Sequence, residues 1–177
     1  SNKSLNKFSK NKNYNLNKND INDEKAIRKI LKLHKPDYIL HFAAESHVDR
    51  SIDDPDDFIK SNVLGTYKLL HNSFDYWKKL SSIKKNRFRF IMVSTDEVYG
   101  SLKKNEKKFE ETNAYKPNSP YAASKASSDH LARAWHKTYG LPVIITNTSN
   151  NYGPWQFPEK LIPLTIQKCI NKESIPV

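Results

Sequence analysis

The stretch that decides the fold is SPYAASKASSDHLARAWHKTYG, residues 119–140, which has the features of one complete helix. Ser119 suits the N-cap position, because its hydroxyl can accept a hydrogen bond from a first-turn backbone N–H that has no partner within the helix. Pro120 suits the first helical position, where no N–H is needed, and Gly140 can adopt the left-handed conformation that ends a helix. The sequence therefore predicts a helix that begins directly after Ser119 and ends at Gly140.

Within this helix, Tyr121 and Lys125 are a candidate pair for acid–base chemistry. They are four residues apart, so they lie on one face of the helix, about one turn from each other. A neighbouring ammonium group favours the phenolate and lowers the pKa of a tyrosine below its usual value of about 10. The spacing alone favours a plainer interpretation, a buried tyrosine beside a solvated lysine, because polar pairs at this separation are common.

The composition limits the kinds of partner. The chain has 177 residues, enough for one domain, with a formal net charge of +11 and one cysteine, Cys169. The lysines are widely spread or mixed with glutamate, as in residues 103–108, so we interpret the charge as a solvated surface and expect no nucleic-acid partner. No apolar run approaches the ~20 residues that cross a bilayer, and no signal peptide opens the chain, so we expect no membrane partner. A single cysteine allows no internal disulfide and fits a reducing compartment, which we expect to be the cytoplasm.

The chain divides into a short lead-in and one α/β domain. Residues 1–19 contain seven Asn and five Lys, so we expect a low-complexity, poorly ordered lead-in before a domain over 20–177. Tyr14 and Leu16 alternate with asparagines, which allows a short strand running into Asp20 and Ile21. Apolar periodicity then predicts helices over 24–35, 53–80, 119–140 and 160–171, and strands over 38–44, 87–94 and 141–148. The segment 45–50 is predicted as a polar loop, and Gly65 inside the second helix indicates a close packing contact.

Alternating strands and helices predict a parallel sheet covered by helices on both faces. Ligands of such sheets bind beyond the carboxyl ends of the strands. Polar residues follow three of the predicted strands, over 43–47, 95–97 and 150–151, and Tyr121 heads the helix after the second. We therefore expect these groups to converge on one crevice.

The segment Thr95-Asp96-Glu97 indicates proton-transfer chemistry. Two neighbouring carboxyls in one site can have their pKa values pushed apart, so that one serves as an acid and the other as a base. Together with Tyr121 they provide three proton-transfer groups, which suits a reaction with several proton movements better than a simple hydride transfer. The plainer alternative is that Asp96 caps a turn and Glu97 faces water.

Five segments carry a family resemblance, in this order: AAESHVDRS (43–51), STDEVYG (94–100), SPYAASKA (119–126), NNYGP (150–154) and FPEKLIP (157–163). They resemble the extended short-chain dehydrogenase/reductase superfamily and, within it, the dTDP-glucose 4,6-dehydratase family. The Tyr-x-x-x-Lys spacing is shared by the whole superfamily, whereas the Thr-Asp-Glu triplet and the Glu-Ser-His-Val-Asp-Arg run are narrower. The resemblance extends from about residue 20 to 177, and it favours the functional interpretation of Tyr121 and Lys125.

The resemblance implies an NAD-dependent lyase acting on dTDP-glucose in deoxysugar biosynthesis. Tyr121, held as phenolate by Lys125, would take the proton of the sugar C4 hydroxyl while the C4 hydride passes to NAD, with Thr95 bonded near that hydroxyl. Glu97 would then remove the C5 proton, and Asp96 would protonate the departing C6 hydroxyl. The hydride would return to C6, so the cofactor ends as it began.

The resemblance also implies binding roles and a homodimer that pairs through the two long helices. It implies no metal site. The cofactor would be bound by Asp20, Ile21, Phe42, Ala43, Ala44, Ser61, Tyr121, Lys125 and Asn151, of which Asp20 and Ile21 would lie beside the adenine and Asn151 beside the nicotinamide. The nucleotide sugar would be bound by Ser46, Thr95, Asn150, Lys160 and Leu161.

The chain departs from the family pattern at both ends. It has four glycines and no Gly-x-x-Gly-x-x-Gly, the loop on which the family binds the NAD pyrophosphate. We therefore expect an internal fragment or truncated product: a partial doubly wound, Rossmann-like catalytic domain over 20–177 that lacks the glycine-loop unit and most of the C-terminal substrate lobe. Two alternatives stay open. One is a non-catalytic remnant acting as a binding module, and the other is a UDP-sugar dehydratase, epimerase or decarboxylase of the same superfamily.

Overall fold

Three parallel strands, β1 (Tyr38–His41), β2 (Arg89–Thr95) and β3 (Val143–Thr148), form the sheet of the described residues in the order β1-β2-β3. In the register, Leu40 pairs with Ile91 and Ile91 with Ile144. The structure is a computed structural model and describes Leu5 and residues 8–175. The remaining residues of the predicted lead-in, 1–4 and 6–7, and the last two of the predicted domain, 176–177, lie outside the described residues.

The described chain forms two units, Asn19–Ser149, which contains the sheet, and Ser1–Lys18 with Asn150–Val177. Eight helical elements accompany the strands in the first unit, and one helix, α7, lies in the second. In chain order the helices are α1 (Glu24–His34), α2 (Val48–Asp53), α3 (Asp56–Phe58), a π-helix (Ile59–Gly65), α4 (Thr66–Lys78), α5 (Ser82–Arg87), a 3₁₀ helix (Asp96–Tyr99), α6 (Pro120–Tyr139) and α7 (Leu161–Asn171).

Helix α6 has the ends that the sequence predicts. The Ser119 hydroxyl accepts from the Ala122 N–H at 3.1 Å, Pro120 occupies the first turn, and Gly140 is left-handed with φ 74°. Helix α1 begins at Glu24, as predicted, after a cap by Asp23, which accepts from Ala26 N, and it ends at His34, one residue before the predicted end. These boundaries are confirmed because each depends on local hydrogen bonding of the named residue.

The apolar core lies between the sheet and the helices α4 and α6. Phe90 and Met92 of β2 are fully buried there, against Leu70 of α4 and Ala132 of α6. The opposite face of the sheet carries Leu40, which is 55% exposed, together with Ile91 and Ile144. The predicted parallel α/β fold is confirmed, with a partial sheet of three strands. The polar residues of the predicted site follow the carboxyl end of β2.

Several predicted elements differ from the structure. The segment from Tyr14 to Ile21 contains no strand, because its backbone has no neighbouring strand to pair with. The predicted loop over 45–50 is wrong from Val48 onward, where α2 begins under a cap by His47. The strand predicted over 38–44 ends at His41 and, as an edge strand, is not buried along its length. The strand predicted from 87 begins at Arg89, because residues 82–87 form α5.

The helix predicted over 53–80 is interrupted by the π-helix, which ends at Gly65. A Cβ built at Gly65 would lie 2.6 Å from Ile21 Cγ2, so the predicted close contact is confirmed. The backbone at Gly65 is helical, with φ −61°, so the glycine is needed for space and not for an unusual conformation.

We predict that Gly65→Ala destabilises the chain by about 1–2 kcal/mol, because the added methyl group overpacks the contact with Ile21. In an Ile21→Ala background the same change should be neutral or stabilising by up to ~1 kcal/mol, since alanine is the better helix former. Urea unfolding of the four variants of this double-mutant cycle measures both values. Equal destabilisation in the two backgrounds would show that Ile21 is not the neighbour that excludes a side chain at position 65.

Candidate active site

The carboxyl end of β2 brings three of the predicted catalytic residues together. Thr95 ends the strand and caps the 3₁₀ helix that starts at Asp96, so the chain turns sharply at this point. The Thr95 hydroxyl accepts from the Glu97 N–H at 3.3 Å and donates to Asp96 Oδ1 at 3.5 Å. The Thr95 side chain also lies close enough to the Tyr121 phenol to lower its pKa. The triplet and the tyrosine therefore lie close together at the end of β2.

The head of α6 is fixed by the segment that follows β1. The Tyr121 N–H donates to the Ser51 hydroxyl of α2 at 3.1 Å. The Tyr121 ring packs edge-on against Phe58, with ring centroids 6.4 Å apart. These contacts leave the phenol half-buried and directed to the end of β2, where the Thr95 hydroxyl meets it.

Burial dominates the proton affinity of the central tyrosine and lysine. Desolvation and the charge of Glu97 raise the pKa of Tyr121 above its ordinary value. Lys125 is only 5% exposed, its Nζ donates to Val93 O at 2.8 Å, and burial lowers its pKa. The expectation that Lys125 makes Tyr121 easier to deprotonate is wrong in direction here, because desolvation of the phenolate is the larger effect.

A buried asparagine that the sequence analysis missed ties three elements together. Asn62, on the π-helix, is 1% exposed. Its Nδ2 donates to Glu45 O at 3.0 Å and to Ser124 Oγ at 2.8 Å, and its Oδ1 accepts from Glu45 N at 2.8 Å. Ser124 in turn donates to Tyr121 O at 2.7 Å. These Asn62 hydrogen bonds, which we call the Asn62 clamp, hold the segment after β1 beside the first turn of α6. Its only signal in the sequence was a polar residue among apolar ones, three positions before Gly65.

The remaining predicted residues fall into two groups. Within residues 19–149, Ile21 lies against Gly65, and Ser61 directly precedes Asn62. Phe42 and Ala43 are exposed. Ala44 and Ser46 flank Glu45, whose backbone is bonded by Asn62. Asp20 Oδ1 accepts from Asn22 N at 2.7 Å. The other four residues belong to the second unit, where Lys160 occupies the N-cap position of α7 and Leu161 begins the helix: Asn150, Asn151, Lys160 and Leu161.

A second missed residue, His41, ends β1 beneath the site. It is 4% exposed, its Nε2 lies 2.8 Å from Thr66 Oγ1, and its ring packs edge-on against Phe90. Burial and the charge of Lys125 lower the pKa of His41 to about 4. The imidazole is therefore neutral at physiological pH.

Among residues 5 and 8–175 there is no group of three or more His, Cys, Asp or Glu side chains arranged to hold a metal ion. No helix within the same residues has the length and apolarity that a bilayer crossing requires.

The chain is similar to known nucleotide-sugar enzymes over its whole length. The family model described as GDP-mannose 4,6 dehydratase matches residues 1–177. A dTDP-glucose 4,6-dehydratase from Xanthomonas campestris is 59% identical over 160 residues, which are 90% of this chain and 45% of that protein.

Two solved structures extend the similarity to the fold. A dTDP-glucose 4,6-dehydratase from Streptomyces venezuelae, a double mutant with NAD bound, is 46% identical with a TM-score of 0.79 and is matched over 89% of this chain and 45% of its own. The enzyme of the same name from Bacillus anthracis, in complex with NAD, is 39% identical with a TM-score of 0.82 over 97% of this chain and 49% of its own. The chain thus spans about half the length of the relatives it matches.

We predict that His41 makes stability depend on pH between about 4 and 6.5. Above pH 6.5 both states hold a neutral imidazole, and the full stability is present. As the pH falls towards 4 the unfolded state gains the proton first, so stability should fall by about 3 kcal/mol over this window. His41→Gln, which keeps a donor for Thr66 but cannot titrate, should flatten this part of the profile in urea-unfolding measurements.

The matched control for this prediction is His34→Gln, at an exposed position in the last turn of α1. It should leave the pH dependence between 4 and 6.5 in place. An unchanged slope in His41→Gln would contradict the assignment of the slope to the buried imidazole.

Proposed function

We propose that this chain, which belongs to the GDP-mannose 4,6 dehydratase family, is the catalytic part of an enzyme that dehydrates dTDP-glucose to dTDP-4-keto-6-deoxyglucose. The single observation that carries the proposal is the meeting of Thr95, Asp96 and Glu97 with Tyr121 at the end of β2. Dehydration needs two proton acceptors and one proton donor in one site, and these residues supply them. Relatives that are 59% and 52% identical are named dTDP-glucose 4,6-dehydratases, and these names support the same substrate.

The geometry supports a separate role for each side chain. Tyr121, as the phenolate, would accept the proton of the C4 hydroxyl, and Thr95, whose side chain lies near the same phenol, would hold that hydroxyl in line. Oxidation at C4 acidifies the neighbouring C5–H, and Glu97 would remove this proton. Asp96 would give its proton to the C6 hydroxyl, which leaves as water. C5 then regains one proton, so one water is lost in all.

The cofactor of the proposed reaction is NAD, which supplies the hydride acceptor and returns the hydride to C6. The residues present fit its nicotinamide end. Tyr121 and the Lys125 ammonium lie at the carboxyl edge of β2, where parallel sheets bind such ligands, and the small Ala43 and Ala44 follow β1 at the same edge. The chain has no Gly-x-x-Gly-x-x-Gly, so the pyrophosphate would have to be bound by residues outside these 177.

The other predicted binding roles also stay proposals. Asp20, Ile21, Phe42, Ser61 and Asn151 are proposed for NAD. Ser46, Asn150, Lys160 and Leu161 are proposed for the nucleotide sugar. A cytoplasmic location is proposed as well, supported by the single cysteine in the sequence.

An epimerase or decarboxylase of the same superfamily is the second candidate, and it needs less of the site, whereas a UDP-sugar dehydratase would eliminate water and would use the same groups. Hydride removal and return at C4 require Tyr121 and Lys125 but no carboxyl pair for water elimination. The adjacent Asp96 and Glu97, both coupled electrostatically to Tyr121, favour the dehydratase.

We predict that two substitutions in the full-length protein separate the steps. Glu97→Gln removes the C5 base and keeps its shape, so mixing with dTDP-glucose should give bound NADH without 4-keto-6-deoxy product. Tyr121→Phe removes the C4 base, so both NADH and product should be lost. Each loss should be about 10²–10⁴-fold, the usual contribution of a general acid or base. Normal turnover by Glu97→Gln, measured by NADH absorbance and product analysis, would favour the epimerase chemistry.

A homodimer is also proposed, supported by an aromatic surface on α4 and α6. Tyr67 packs against Trp135, and Trp135 against Tyr139, with ring centroids 5.7 and 5.5 Å apart. Tyr67 and Tyr139 are still 39% and 47% exposed, and Leu64 beside them is 43% exposed. Exposed apolar groups grouped in this way indicate a protein interface.

We predict that the full-length protein is a dimer at micromolar concentration by light scattering. The double substitution Tyr67→Glu and Tyr139→Glu should shift it to monomer, because the charges would be desolvated at the interface. Leu33→Glu, on α1 and 68% exposed, is the control and should leave the dimer intact. A wild-type protein that scatters only as monomer would exclude this assembly.

A further inference from the structure

Among residues 8–175, Asp129 is the one buried carboxylate, and the chemistry above does not use it. It is 2% exposed and lies on α6 four residues after Lys125 and eight after Tyr121. The three side chains therefore follow one another along a single face of the helix. Burying an ionisable group is costly, so its surroundings must account for it.

Three donors from three different segments meet the Asp129 carboxylate. Oδ2 accepts from Ser94 Oγ of β2 at 2.7 Å, from Tyr115 OH of the segment before α6 at 3.0 Å, and from Asn147 Nδ2 of β3 at 3.4 Å. Ser94 and Asn147 are register partners in the sheet. Ser94 also directly precedes Thr95, so this network fixes the strand end that carries the site.

The second carboxylate oxygen, Oδ1, is buried and has no hydrogen-bond partner within residues 8–175. Hydrogen bonds therefore satisfy only part of the carboxylate, and the nearest buried cation along the helix is Lys125. Lys125 makes its own hydrogen bond to Val93 O, which is neutral and does not balance the charge. Lys125 and Asp129 make no direct ion pair, but both are buried one helical turn apart, and the charge of each opposes the pKa shift that burial causes in the other.

We propose that Asp129 is the counter-charge of Lys125: a positioning residue whose buried carboxylate keeps the lysine charged and anchors the ends of β2 and β3 beside it. The groups that face this pair are His41 of β1, which is neutral, Tyr121 of α6, and Tyr99 and Tyr115, which are coupled to Asp129. Burial lowers the pKa of Lys125 and the charge of Asp129 opposes this effect. The catalytic consequence rests on the proposed function, whereas the charge coupling does not.

The test follows the protonation of Lys125 in the full-length protein by NMR with isotope-labelled lysine ε-carbons. The Lys125 resonance is assigned by its loss in Lys125→Met. Asp129→Asn keeps an acceptor for Ser94 and Tyr115 and removes the charge, so the pH midpoint of Lys125 should fall by about one pH unit. Asp75→Asn, which removes an acid that is 39% exposed on α4, should leave this midpoint unchanged.

Circular dichroism establishes that each variant is folded. If Asp129→Asn does not fold, Asp129→Ser offers a smaller neutral acceptor, and the same shift is required of it. A Lys125 midpoint that moves by less than about 0.2 pH unit in a folded neutral variant would overturn the proposal.

Kinetics then connect the charge to catalysis. In Asp129→Asn the alkaline limb of the kcat profile should move to lower pH with the Lys125 midpoint, whereas a purely structural role would lower kcat equally at all pH values. A wild-type protein that does not turn over dTDP-glucose would refute the proposed function. The NMR test of the coupling between Asp129 and Lys125 would still be valid, because it does not depend on turnover.

Discussion

The structure depends on the accommodation of one buried positive charge, the ammonium group of Lys125. A lysine that is 5% exposed must be compensated by its surroundings, because the free-energy cost of desolvating an ion is large. The Val93 carbonyl supplies a hydrogen bond, Asp129 supplies an opposite charge, and His41 stays neutral beside it. The same desolvation raises the pKa of Tyr121, so the tyrosine of this site is a neutral hydroxyl in the protein alone.

The backbone around this charge is held by polar side chains that cross between elements. Asn62 joins the segment after β1 to α6, Ser51 joins α2 to the Tyr121 N–H, and Asp129 joins α6 to β2 and β3. Each bond is within or next to the apolar core, where an unmade bond would cost about 1–3 kcal/mol. The site therefore consists of short, fixed contacts among strand ends and one helix, which is the arrangement that positions several proton-transfer groups at once.

Local features of the fold were predictable from sequence, and features that arise from burial were not. The ends of α6 follow from Ser119, Pro120 and Gly140, because a cap depends on its own residue and its immediate neighbours. The close contact at Gly65 was also predictable, because a glycine destabilises a helix interior relative to alanine and is expected there only where a larger side chain would not fit. The direction of the Tyr121 pKa shift was wrong because spacing reveals a neighbouring charge but not the loss of solvent.

The polar residues of the core, Asn62, His41 and Asp129, were missed for a related reason. A single polar residue in an apolar segment has the same appearance whether it faces solvent or the interior, and only the packed structure distinguishes the two. The predicted loop over 45–50 failed at Val48, where His47 proved to be a helix cap. Residues 150–151 and 160–161 lie in the second unit, so their predicted convergence with the β2 site stays a prediction.

The most direct test of the account is to follow hydrogen during turnover by the full-length protein. dTDP-glucose labelled with deuterium at C4 should give a 4-keto product that carries the deuterium at C6, and unlabelled substrate in heavy water should gain one deuterium at C5. This pattern requires hydride storage together with the C5 base that we assign to Glu97. A product that keeps the deuterium at C4 with inverted configuration, and that gains none at C5, would contradict the account.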